Sequence, residues 1–327
     1  MMNKSPPLIT VIITCHNEGK FIEQCIRSVF DQTIFNLIYE IIVINDSSTD
    51  NSKEILNSLK KECSILRIID SNNRSLSKSR NQALNLSNST YIAILDGDDF
   101  WTKFKLENQL KTLKKLDDNY ALVYTNFIDF TDGDFENIKK IKVRSLNDNS
   151  QNQLIEYFCK DGPIVPSTIF FKLKFAKKVG FFDEDFTRYG EDQDFCIKLL
   201  EKYKFFHLND FSCYKRKHIN QIANKIYETI SIGDMVINKA ILRNNYLKKF
   251  KKIRMSRARN KAALHTLKNF EERLIVFRLI HESLKCNPIN IKTWFLLLLS
   301  IFPKKLILQI INYLIFLQKY IPFNIKV

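Results

Sequence analysis

Over the first hundred residues, short unbroken apolar runs alternate with amphipathic segments. Residues 9–14, 40–45, 66–69 and 91–95 are dense in Ile, Val and Leu and predict strands, while residues 21–30, 53–59 and 78–86 carry apolar side chains at helical spacing. This βαβ series predicts an α/β fold on a mostly parallel, Rossmann-like sheet. Ile41-Ile42-Val43-Ile44 and Ile92-Ala93-Ile94-Leu95 lack polar alternation, so both faces of these strands are expected to lie under helices. A strand over 168–171 and a helix over 195–203 follow. Beyond Asn220 strand character stops, and helical patterns cover 222–243, 254–267 and 272–284, ahead of apolar runs at 294–302 and 306–317. Two domains are therefore predicted, residues 1–220 and residues 221–327.

Polar residues cluster just past each predicted strand: Cys15-His16-Asn17-Glu18, Asp46-Ser47-Ser48-Thr49-Asp50, Asp70 to Asn73, and Asp96-Gly97-Asp98-Asp99. Open α/β sheets bind ligands beyond the carboxyl ends of their strands, which makes these clusters the candidate site. Taken singly, Ser47, Ser48, Thr49 and Asp50 are equally well explained as helix caps. The three carboxylates of 96–99 repel one another and gain most from a divalent cation that a diphosphate can share. A surface turn or a phosphohydrolase of DxD type would use the same cluster, although Phe100 stands where that class carries Thr or Val.

Composition narrows the classes further. Gly and Pro number only 7 each, which excludes a collagen-like chain. Seven scattered cysteines without a CxxC pair signal neither a disulfide framework nor a zinc site and fit a reducing compartment. The apolar run at 8–14 has no small-residue cleavage site behind it and is better read as a first strand than as a signal peptide.

Charge divides the chain unevenly. Residues 1–238 hold 32 Lys and Arg against 32 Asp and Glu, whereas residues 239–327 hold 19 against 3, so the whole net charge of +16 lies in the last segment.

In order and spacing, Val11 to Glu18, Glu40 to Asp50, Ser79-Arg80-Asn81-Gln82-Ala83, Asp96 to Asp99 and Gly190-Glu191-Asp192-Gln193-Asp194 resemble a family 2 glycosyltransferase of the GT-A fold, over residues 8–221. The resemblance implies an inverting transferase that takes a sugar from a nucleotide-diphosphate donor, a UDP-sugar, to a glycan or lipid-linked acceptor in surface-polysaccharide synthesis. It assigns Asp46 and Arg80 to the nucleotide base, with Asn17 and Glu18 lining that pocket. Asp96 falls to the ribose or the outer shell of the metal, and Asp98 and Asp99 to a Mn2+ or Mg2+ ion. Oxygen ligands suit either ion, whose charge would stabilise the departing diphosphate.

A hydroxyl acceptor needs a carboxylate to take its proton. The family's Glu-Asp pair makes Asp192 that base, with Glu191 beside it, while acidic residues in a first helical turn also simply complement the helix dipole. One base and one displacement invert the anomeric centre. Tyr214 to His218 resemble the family's Arg-x-His element, which places Arg216 near the diphosphate and His218 near the metal. Pro166-Ser167-Thr168 matches a segment bordering the acceptor, or starts the following strand, and Trp101 either stacks on a sugar or fills the core.

In the basic tail each apolar run is shorter than the roughly 20 residues a bilayer requires, and Pro303-Lys304-Lys305 interrupts them. Lys248, Lys249, Lys251, Lys252, Arg254, Arg257 and Arg259 would each gain about 1 kcal/mol near anionic lipid. The tail therefore predicts peripheral attachment to an anionic membrane surface on the cytoplasmic face, with a packed helical subdomain as the alternative. No nucleic-acid partner is expected, because the basic stretch lacks interleaved aromatics or a known module. Of other classes, a non-catalytic carbohydrate- or nucleic-acid-binding protein is the main rival to an enzyme.

Overall fold

The computed structural model describes residues 8–132, 134–143, 145–146, 150–159, 164–217, 226–269, 273–303, 306–307 and 309–310. The chain divides into two compact units, residues 1–157 with 162–224, and residues 158–161 with 225–327.

The first unit is built on one sheet. Strands β1 (Ile9–Cys15), β2 (Ile38–Asp46), β3 (Leu66–Ser71) and β4 (Tyr91–Asp96) alternate with helices α1 (Ile22–Phe30), α2 (Ser52–Glu62) and α3 (Leu76–Leu86). Then come β5 (Phe100–Trp101), α4 (Lys105–Lys115), β6 (Tyr120–Thr131), β7 (Asp134–Ile141), α5 (Ser150–Cys159), β8 (Phe170–Lys172), α6 (Leu173–Lys178), α7 (Glu191–Leu200) and β9 (Lys204–Lys217). The strand order is β3-β2-β1-β4-β8-β6-β9-β5, with β7 beside β6. The β3, β2, β1 and β4 ladders are parallel, as the βαβ pattern requires. Beyond β4 the sheet is mixed: β8 runs antiparallel to both β4 and β6, β5 and β7 are antiparallel edges, and β6 pairs parallel with β9. Only the β1 to β4 half is thus the predicted parallel sheet, because no helical crossover of the β1–β4 kind brings β8 in alongside β4.

In β2 and β4 the central apolar residues are fully buried, which accounts for their lack of alternation. α1 covers the sheet with Ile22, Cys25, Ile26 and Val29, a three- and four-residue spacing that lies on one helical face, while its Arg27 pairs with Glu23 at 2.8 Å on the solvent side. Register brings the strand ends level. Thr14 sits opposite both Ile44 and Asp96, and Asp46 opposite Ser71. The segment after β1 is therefore flanked by the ends of β2 and β4, where the strand order reverses.

The second unit contains α8 (Ile226–Arg243), α9 (Lys251–Asn269), α10 (Arg273–Cys286) and α11 (Ile291–Ile301). Its core gathers Ala263 and Leu267 of α9, Val276, Leu279 and Ile280 of α10, and Leu296 and Leu299 of α11. Ser256, Ser283, Thr293 and Asn260 form a buried hydrogen-bonded layer beside it. Among the described residues no helix is long and apolar enough to cross a membrane. Most of the apolar run 306–317 lies outside the described residues.

Candidate active site

The loops after β1 and β2 are tied to each other by side chains. Asn17, with φ of 59°, turns its Oδ1 to accept the Thr49 amide at 2.7 Å, and the Asn17 and Glu18 amides donate to the hydroxyls of Ser48 and Ser52. Asn tolerates this left-handed geometry better than most residues. The Asp50 carboxylate accepts from the Gly19 and Ser52 amides, so from the position before the N-cap of α2, which is Asn51, it takes up the first amide of the helix and clamps the β1 loop. His16 donates from Nδ1 to the Asp46 carbonyl at 2.6 Å.

Asp46 itself is buried. Its oxygens accept from the Arg74 amide at 2.9 Å, the Ser75 amide at 3.2 Å and the Ser79 hydroxyl at 3.0 Å. It shapes the loop that leads from β3 into α3 and holds the start of that helix.

Arg80 of α3 is 1% exposed and forms two ion pairs at 2.7 Å, from Nη2 to Asp96 at the end of β4 and from Nη1 to Glu191 at the start of α7. Phe182 lies under the guanidinium at 5.4 Å. This geometry joins the acidic cluster to the Glu-Asp pair, whose sequence positions are nearly a hundred residues apart. Among the described residues Arg80 Nε and Glu191 Oε2 have no hydrogen-bond partner, leaving two buried polar atoms with unused capacity here.

The 96–99 loop is fixed from below. Ser167 accepts the Asp96 amide at 3.1 Å and donates to Asp99 Oδ2 at 2.6 Å, while the Arg216 amide donates to Asp99 Oδ1 at 3.0 Å. Asp99 is 3% exposed, and burial, reinforced by Asp98 and Asp96, drives its carboxyl well above the usual range. Both of its oxygens thus serve the loop, whereas Asp96 and Asp98 are partly exposed. Gly97 allows the loop to close on β1, because a Cβ there would stand 2.8 Å from the Thr14 carbonyl oxygen.

Arg216, buried on β9, donates Nε–H to the Asp98 carbonyl, and its guanidinium meets Asp132 and Gln24 between the rings of Phe21 and Phe130. It braces the acidic loop from one side. Trp101 is also an internal support: its indole N–H donates to the Ser167 carbonyl at 2.7 Å, and Lys105 Nζ lies 3.9 Å over its ring. Of the two roles open to Trp101, the core one is observed.

Glu18 lies against Gly97, and burial, followed by repulsion from Asp98, Asp96 and Asp50, pushes its carboxyl up to about 8. The structure thus sets Glu18 with the acidic cluster as well as with the loop after β1. Glu18 and Asp98 repel one another across this loop, and hard oxygen donors of this kind fit a divalent cation. Among the described residues no three His, Cys, Asp or Glu side chains are arranged as a ready metal site. His218 lies outside the described residues.

α7 opens on Gly190, with φ of 83°, and presents Glu191, Asp192 and Asp194 in its first turn. The helix starts four residues before the predicted one, so the Glu-Asp pair is helical. Asp192 is half-buried, and its carboxyl is pushed up to about 7 by burial first and then by Glu191, against the opposing pull of Arg80.

Gln24 and Asp132, which meet Arg216, carry no signal in the sequence. Ser167 lies in Pro166-Ser167-Thr168, the segment matched to the acceptor border, which here forms a 3-10 turn just before β8.

Comparison with known proteins decides the family. The glycosyl transferase family 2 profile matches residues 10–180, just over half of the chain. The chain belongs to glycosyl transferase family 2. An uncharacterised glycosyltransferase of Methanocaldococcus jannaschii, MJ1057, is 30% identical over 211 residues, 63% of this chain and 69% of that protein. The putative teichuronic acid biosynthesis glycosyltransferase TuaG of Bacillus subtilis is 35% identical over 34% of this chain and 43% of its own length. The Escherichia coli β-1,3-glucosyltransferase WfaP is 36% identical over 32% of this chain and 40% of its own. The chain thus spans less than half of these last two relatives.

Among solved structures, Staphylococcus aureus TarS with UDP-GlcNAc superposes with a TM-score of 0.62 at 16% identity, covering 85% of this chain and 81% of that one. The mannosyltransferase PcManGT of Pyrobaculum calidifontis, with GDP-Man and Mn2+, gives a TM-score of 0.57 at 15% identity over 90% and 86%. The fold of this family 2 member is GT-A. Membership favours neither the phosphohydrolase nor the non-catalytic binding protein as a use of the acidic cluster.

Proposed function

We propose that this transferase moves a sugar from a nucleotide-diphosphate donor, a UDP-sugar, to a hydroxyl of a glycan or lipid-linked acceptor in surface-polysaccharide synthesis, with inversion. The observation that carries this reading is the Asp96–Arg80–Glu191 ion-pair chain, which holds the donor-side acids and the first turn of α7 at one site. UDP as the nucleotide is supported by the UDP-GlcNAc bound in the TarS structure and by the UDP-Glc in WfaP's name. WfaP's named acceptor is a GlcNAc-diphosphoundecaprenol, which supports a lipid-linked acceptor here and, with it, work at an anionic membrane surface.

Asp192 takes the proton of the attacking hydroxyl. A carboxyl at about 7 retains basicity that an ordinary aspartate lacks, yet is ionised in a useful fraction near neutral pH. Glu191 and Arg80 hold the turn that presents it. Asp98, with Asp96 beside it, is the side chain for Mn2+ or Mg2+, and Asp99 supports the loop from within. Such an ion, when bound, supplies positive charge to the departing diphosphate oxygen. Asn17 and Glu18 line the donor pocket, while Asp46 acts through the β3–α3 loop and Arg216 through the loop carrying Asp98.

A thermal-shift screen of nucleotide sugars with and without Mn2+, followed by nucleotide release from the best stabiliser, tests the reading. Stabilisation by a UDP-sugar and acceptor-dependent UDP release are expected. Indifference to every nucleotide sugar would refute it.

A further inference from the structure

We infer that the outer face of α11 is a docking surface for an anionic lipid bilayer, lying in the interface plane. This deepens the membrane part of the proposed function by naming the surface that makes the contact. α11 has two unlike apolar faces. Its inner face, with Thr293, Leu296, Leu299 and Ser300, is buried against the rest of the second unit. Its outer face exposes Ile291 at 83%, Trp294 at 50%, Leu298 at 59% and Ile301 at 64%.

These four positions recur at three and four residues, a single stripe along the helix. Single exposed apolar residues are ordinary, but an ordered stripe of four large ones on a helix already packed on its other side is not. Trp294 donates its indole N–H to the Pro288 carbonyl at 2.7 Å, so its polar atom is satisfied while its ring stays half open. That suits a residue at a membrane interface, where Trp is enriched. Phe302 continues the stripe past the helix end, where Arg273 donates to its carbonyl at 3.1 Å and sets a cation beside the apolar surface.

Charge selects the occupant. Residues 239–327 carry 19 basic against 3 acidic side chains, so a second copy of this unit would be repelled, whereas anionic head groups would be drawn in. Nucleic acid would need cations along the contact face, and on α11 the face is apolar with Lys292 as the sole basic residue. At 11 residues the helix is about half the length needed to span a bilayer and is suited to lying along it.

The full-length protein would be floated with phosphatidylcholine vesicles with and without phosphatidylglycerol, and its tryptophan emission recorded. Trp101 is buried and supplies a constant background, so the emission change reports Trp294. Co-flotation with the phosphatidylglycerol vesicles and a blue-shifted emission are expected. Leu298→Ser with Ile301→Ser should weaken partition by about tenfold or more, since the stripe loses two large apolar groups, while UDP-dependent thermal stabilisation is kept.

Failure of the wild-type protein to float, or flotation with no change in emission, would overturn the inference, as would equal binding by the double variant. Sedimentation showing lipid-independent dimers that Trp294→Ser dissociates would instead assign the stripe to self-association. If the double variant does not fold, quenching of the wild-type emission by bromine-labelled lipid decides the same question. None of these readouts needs sugar transfer, so failure of the donor reading would leave the result intact.

Discussion

On the proposed reading, Asp192 concentrates the chemistry at the scale of single residues. Burial and the neighbouring Glu191 carry its carboxyl to about 7, and the sign of the consequence follows for both rate and stability. As the proposed base it would work only when ionised, so kcat/KM is expected to rise with pH through about 7 and then level. For stability, the folded state keeps a proton that the unfolded chain has already lost. The Asp192 contribution is therefore intact below the ordinary aspartate range and lost as pH rises towards 7. Asp192→Asn should lower turnover by about 10²–10⁴-fold, abolish that limb of the profile and leave UDP binding in place. A variant with near-normal turnover would move the base elsewhere.

Three elements meet through one guanidinium. Arg80 links α3 to the end of β4 and the start of α7, with both carboxylate partners at 2.7 Å. Arg80→Met would strand the buried Glu191 and weaken Asp96, and a loss of about 3–5 kcal/mol in urea unfolding is expected, with Arg80→Lys rescuing only in part because an ammonium cannot fork between two acids. Unchanged stability would mean that the two loops are held by other contacts. This linkage also marks where sequence reasoning stopped. The β1 to β4 half and α1 to α3 were legible because continuous apolar runs and helical spacing are local signals. β6 and β9 were not, since Asn126 and Asp129 in one and Asn209 and Asp210 in the other interrupt the apolar pattern, and the two strands pair across the intervening β7, α5, β8, α6 and α7. The acidic residues that the structure gathers around Arg80 and the 96–99 loop were legible by type and spacing. Their contacts were not: Asp99 turns inward, and Arg80, Asp46 and Arg216 bond to neighbouring loops and elements, because those partners lie far away in sequence and only folding supplies them.

At the scale of the whole molecule, the chain separates a near-neutral sheet unit from a strongly basic helical unit, each with its own core. We propose that the first carries donor and base and the second the membrane contact. Calorimetry should then resolve two unfolding transitions, of which UDP with Mn2+ raises one. A single transition raised as a whole would contradict that division. The central claim is that Asp98 serves a cation-dependent donor site and Asp192 a separate proton-transfer role across the same site. It is tested most directly by calorimetric titration of UDP, in Mn2+ and in EDTA, into the wild-type protein, Asp98→Asn and Asp192→Asn. The account predicts that Mn2+ tightens UDP binding by about tenfold or more in the wild type and in Asp192→Asn, and that Asp98→Asn loses this gain. Full Mn2+ dependence in Asp98→Asn, or its loss in Asp192→Asn alone, would contradict it.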